Sequence, residues 1–125
     1  MKNILLLMIL VALFSSCVLR HTDDVSDLGS NYYFLPDGKM STICFNLGKE
    51  GEDRKGIELV DPKVIDYAFN ENFIIAKSIG IYDKKASFWI IDKNQTIEEN
   101  VSQYDSIKFY QELVNKGIKL KLNAN

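Results

Sequence analysis

Histidine is nearly missing from this chain: His21 is the only one in 125 residues. Cysteine occurs twice, at Cys17 and Cys44, and proline twice, at Pro36 and Pro62. One histidine and two distant cysteines cannot supply the ligand set of a zinc site. With no histidine after position 21, a serine or cysteine nucleophile in the body of the chain lacks an imidazole base, and no G-x-S-x-G motif occurs. The P-loop pattern and the alternating D-x-D-x-D-G spacing of a calcium loop are missing too. No cofactor is expected from these residues. Charge of one sign is also lacking. Lys+Arg 15 against Asp+Glu 17 gives −2, which argues against the concentrated basic footprint of a nucleic-acid binder.

Long apolar runs are confined to one place. Ile4–Phe14 is 11 uninterrupted apolar residues after a basic start at Lys2. As a helix it rises about 16 Å, roughly half of a bilayer's hydrocarbon core. That length suits the h-region of a signal peptide better than a permanent span. Ser15 and Ser16 close the run, and Cys17 follows. Small residues before a cysteine at that place resemble the bacterial lipobox, which implies cleavage between Ser16 and Cys17 and lipidation of Cys17. Two or more acyl chains anchor stably where one anchors marginally. The expected organisation is a signal peptide over 1–16, a lipidated cysteine and flexible tether over 17–31, and a single globular domain over 32–125. The resemblance places that domain on the non-cytoplasmic side of a bacterial cell membrane or outer membrane. The leader also distorts the composition: 12 of its 16 residues are apolar, against about 42% of the rest.

The globular part reads mostly as strand. Tyr32–Leu35 leads into the Pro36-Asp37-Gly38 turn, and Met40–Leu47 alternates with Ile43, Phe45 and Leu47 on one face. Gly48–Gly56 holds three glycines and six charged residues and reads as an exposed loop. Ile57–Val60 is a short strand, and Val64–Phe69 alternates with Ile65, Tyr67 and Phe69 together. Phe73–Ile79 and Ala86–Asp92 are apolar on both faces, as strands covered on two sides are. Trp89 belongs to that core. Ser102 and Asp105 have the spacing of a capping box, and Ile107, Tyr110, Leu113 and Val114 follow at helical intervals to Gly117. Ile118, Leu120 and Leu122 alternate with lysines as a last edge strand. The expected fold is α+β: a small antiparallel β-meander sheet with one C-terminal helix packed on it.

The runs FIIAK (73–77) and FWIID (88–92) with Lys93, ahead of a helix and a KL-rich end, carry a family resemblance. The chain resembles an uncharacterised family of short bacterial lipoproteins, a domain of unknown function with FIIAK and (Y/F)WIIDK core strands. Phe88 stands where that pattern often has tyrosine. The resemblance implies the fold and an envelope location; it carries no catalytic residues.

Function is therefore read from surface chemistry. Tyr32, Tyr33, Tyr82 and Tyr104 lie near turns or element ends, where exposed tyrosines suit protein or glycan contacts, although the same residues also cap core edges. Asp66, Asp83, Asp92 and others are carboxylates from which a glycosidase pair could be drawn, a signal without specificity in a chain with 17 acidic residues. Cys44 has no disulfide partner once Cys17 is lipidated, which leaves a buried small hydrophobe or an exposed thiol open to intermolecular pairing. The leading expectation is a non-enzymatic, membrane-anchored binding module, held to the bilayer through Cys17 and meeting a protein or glycan partner. The alternatives are a small inhibitor or immunity-type protein and a carboxylate-dependent hydrolase.

Overall fold

The computed structural model describes residues 25–47 and 56–123. The expected signal peptide, its cleavage site at Ser16 and Cys17, His21 and most of the glycine-rich loop lie outside the described residues. In chain order the elements are β1 Ser26–Gly29, β2 Tyr32–Leu35, a 3₁₀ turn Gly38–Met40, β3 Thr42–Asn46, β4 Gly56–Glu58, β5 Val64–Phe69, β6 Phe73–Ile79, β7 Ala86–Asp92, β8 Val101–Tyr104 and the helix α1 Ser106–Asn115. The α+β class with a C-terminal helix is what the sequence leads one to expect. The meander divides into two antiparallel four-stranded sheets, β1-β2-β3-β4 and β5-β6-β7-β8.

Three layers result. Leu28, Tyr32, Ile43 and Val60 from the first sheet region meet Val64, Ile74, Ala76, Trp89 and Ile91 of the second in one buried cluster. On the other face of the second sheet, Ile75, Phe88 and Ile90 pack under Phe109, Leu113 and Ile118. Strands β6 and β7 are thus covered on both sides, which explains why their sequences do not alternate. The two sheets are joined where Ser41, just before β3, meets Val64 at the start of β5. Ser41 Oγ donates to Val64 O at 3.0 Å and Val64 N donates to Ser41 O at 2.9 Å, while Thr42 Oγ1 donates to Val60 O in the segment that links the sheets.

Local chemistry fixes the turns. Asn70 Oδ1 accepts from Asn72 N at 2.9 Å and Phe73 N at 2.8 Å, so this asparagine shapes the β5–β6 turn through hydrogen bonds. Strand β5 carries a bulge between Val64 and Asp66. The extra residue lets Val64 and Tyr67 both face the first sheet, while Ile65 is exposed. The expected common face of Ile65, Tyr67 and Phe69 is corrected accordingly.

Three further expectations are revised. Residues 26–29 are not tether: β1 pairs with β2 from Ser26↔Phe34 to Gly29↔Tyr32, and Leu28 is fully buried. Its SDLG sequence is polar except at the one inward position, which hides the strand. The helix starts later than its capping pattern suggests. Val101–Tyr104 pairs with β7, and Asp105 is the N-cap, its Oδ1 accepting from Lys108 N at 2.8 Å. Residues 118–122 form no strand. Gly117, at φ 67°, ends the helix, with Ile118 N donating to Leu113 O at 2.9 Å and Gly117 N to Val114 O at 3.1 Å. That is a Schellman cap, and it folds Ile118 back against Leu113.

Candidate functional site

The four tyrosines do not form one surface. Tyr32 is core: it is 2% exposed, and its hydroxyl accepts from Asn100 Nδ2. Burial raises its pKa, with the Asn100 hydrogen bond opposing and the Asp92 carboxylate reinforcing the shift. Tyr33 points to the opposite face of β2 and is half-buried, with its hydroxyl lying over Gly56 where a Cβ would meet it at 1.9 Å. Tyr104 is half-buried against the cluster beneath the helix. Tyr82 alone stands free of the core, at 96% exposure in the β6–β7 loop. Tyr32 and Tyr33 border a polar cleft of about 370 Å³ beside the β1–β2 turn, with Asp27, Ser30, Asn31 and Asn46.

Asp92 stays apart from the other two carboxylates. Asp92 pairs with Phe73 at one end of β6, Asp66 pairs with Lys77 four residues along, and Asp83 lies in the loop beyond the other end. At about 3.3 Å per residue, Asp66 and Asp83 are more than 10 Å from Asp92 along the strands. Paired glycosidase carboxyls sit about 5–9.5 Å apart. Asp83 and Asp92 also have local work: Asp83 Oδ1 accepts from Lys85 N at 3.0 Å, and Asp92 Oδ1 from Asn94 N at 3.0 Å. Among the described residues, no group of three His, Cys, Asp or Glu side chains is placed to hold a metal ion.

Cys44 takes the buried alternative, at 4% exposure. Burial pushes its thiol pKa up, a hydrogen bond with Tyr33 lowers it, and Glu58 raises it further. A raised pKa disfavours the thiolate, the nucleophilic form.

Lys93 has a structural role that its place in the sequence did not reveal. Its ammonium donates to Leu28 O of β1 and to Asn70 O in the β5–β6 turn at 2.6 Å, and lies 5.4 Å from the Phe69 ring centre. It therefore clasps the two sheets together. Burial lowers its pKa, while Asp27 and Glu71 offset part of the shift. The buried Asn100 lies nearby in the chain, and its Oδ1 meets no hydrogen-bond partner among the described residues.

An exposed apolar surface lies on the helix, at residues the periodicity points to as core. Phe109 and Leu113 are the buried pair, whereas Ile107, Tyr110 and Val114 are 74%, 52% and 80% exposed. A groove of about 720 Å³ runs from Tyr110 and Val114 across Ile118 to Leu122, with Lys119 and Lys121 along it. The available signal was Phe109 with Leu113, an i, i+4 pair competing with Tyr110 and Val114 for the inner face.

A family model described as Protein of unknown function (DUF3997) matches residues 30–124. The chain belongs to that family. The DUF3997 match begins inside the β1–β2 turn and takes in β2 to β8, the helix and the tail, so β1 precedes it. No curated protein and no solved structure matches the chain.

Proposed function

We propose that this DUF3997 protein is a cell-envelope lipoprotein, anchored through acylated Cys17, whose folded part is a non-enzymatic interaction module. The observation that carries the reading is the run Ile4–Phe14 followed by Ser15-Ser16-Cys17, an h-region of signal-peptide length ending on a lipidation-type cysteine. The position of β1 supports it. With Ser26 already in the sheet, nine residues of chain step from Cys17 to the domain, a reach of about 30 Å at most. The domain then works close to the bilayer. The non-enzymatic part is supported by the three groups with displaced pKa values among the described residues. Tyr32, Cys44 and Lys93 are each shifted first by burial, and Tyr32 and Lys93 are engaged in hydrogen bonds that join segments distant in the chain.

The test is metabolic labelling with palmitate and membrane fractionation of cells producing the wild type or Cys17→Ala. Label on the wild type and none on the variant is the expected outcome. Equal labelling and equal membrane association of both would overturn the reading.

A further inference from the structure

We propose that the exposed face formed by α1 and the C-terminal tail docks on an anionic phospholipid surface. The inference rests on the tether proposed above, which brings the domain to a bilayer. Four observations carry it.

First, Ile107, Tyr110 and Val114 project from a ten-residue helix whose buried residues are Phe109 and Leu113. An apolar stripe with a tyrosine at its edge is the composition of an interfacial helix. Second, charge is segregated. Residues 106–122 carry Lys108, Lys116, Lys119 and Lys121 against Glu112, a local balance of +3 in a chain of −2. Third, the Schellman cap at Gly117 turns the tail back beside the stripe, so that Lys119 and Lys121 border the same groove as Tyr110 and Val114. Apolar residues and lysines then share one surface, and lysine stems extend along apolar surface while their ammonium groups reach the headgroups. Fourth, the reach fits. The anchor enters at the first sheet, and the outer face of the helix is two layers and a helix radius away, roughly 25 Å at about 10 Å per layer and about 5 Å for the radius. The segment from Cys17 to Ser26 spans about 30 Å when extended, long enough for anchor and helix to meet one bilayer.

The full chain, reconstituted in vesicles, tests this with Val114→Trp. Position 114 is exposed, and the buried Trp89 gives a constant background. In vesicles rich in phosphatidylglycerol, the introduced indole is expected to shift to the blue, to be quenched by brominated acyl chains and to escape the neutral aqueous quencher acrylamide, which an anionic surface does not repel. In phosphatidylcholine it stays accessible to acrylamide. Adding Lys119→Gln and Lys121→Gln lowers the ratio of docked to undocked protein on anionic vesicles at least about tenfold, since each lysine near such a surface contributes on the order of 1 kcal/mol. Acrylamide access that is the same in both lipids overturns the proposal. So does shielding that follows protein concentration instead of lipid charge, which would assign the face to a second copy of the chain. Absence of palmitate on Cys17 with a persisting lipid-dependent signal removes the tether reading and leaves the docking face; the reverse removes only the docking face.

Discussion

Replacing Lys93 with methionine preserves most of the side chain's length and removes its ammonium. The structure gives the cost. The wild-type group makes two charge-assisted hydrogen bonds, to Leu28 O and Asn70 O, and stands over the Phe69 ring. Such bonds contribute about 1.5–3 kcal/mol each when dry. Lys93 is half-buried, so solvent screening reduces each to about 1 kcal/mol. The Leu28 carbonyl, on a buried residue, then loses a partner, at about 1 kcal/mol. The expected destabilisation is about 2–3 kcal/mol, or a fall in Tm of roughly 10–20 °C for a domain of this size. Urea unfolding followed by the fluorescence of Trp89, the only tryptophan, measures it. Lys85→Met, at an exposed loop position, is the control and stays within about 0.5 kcal/mol of wild type. Amide exchange in β2 should speed up in Lys93→Met, because β1 loses its link to the second sheet. A change below about 0.5 kcal/mol for Lys93→Met would refute the clasp.

Other expectations concern the helix and the thiol. Phe109→Ala should cost about 3–5 kcal/mol and Val114→Ala under about 0.5, by urea unfolding, because the first is fully buried and the second 80% exposed. Asp105→Ala should cost about 1 kcal/mol by losing the N-cap, with Lys108 N–H shifting in the amide spectrum, while Ser102→Ala leaves that resonance in place. The folded chain should resist thiol reagents at Cys44 until urea is added. The unfolded chain gives up its Cys44 proton first, so stability falls as pH rises past the ordinary value of 9.0, and Tyr32 adds a loss of the same sign past 10.0. Lys93 has the opposite sign: its lowered pKa makes stability rise with pH in the window below 10.5. Cys44→Ala should remove the loss that begins near pH 9, read as the urea midpoint against pH.

The strands most legible in the sequence were the central ones. Val64–Phe69, Phe73–Ile79 and Ala86–Asp92 end where their apolar runs end, because the Asn70–Asn72 turn and the polar 80–85 loop interrupt them. Covering on both faces was readable in FIIAKSI and ASFWIID, since neither alternates. The short edge strands were hidden for a physical reason. Ser26–Gly29 and Val101–Tyr104 are four residues each, and pairing to a neighbour stabilises them more than their own composition does. The helix register depended on a partner surface that periodicity cannot locate. Five apolar residues among the ten of α1 offer two inner faces, and Phe88 beneath selects Phe109, at a ring separation of 5.0 Å. The four tyrosines separate on the same ground: position near a turn does not decide which side of a strand faces the core, and Tyr32 and Tyr33 divide between the two while Tyr82 is exposed.

Lipidation of Cys17 is tested by the intact mass of the protein isolated from its own cells. The expected chain begins at Cys17 and carries a thioether-linked diacylglycerol with further acylation of the new amine. An unmodified Cys17, or a chain that still holds residues 1–16, would contradict it.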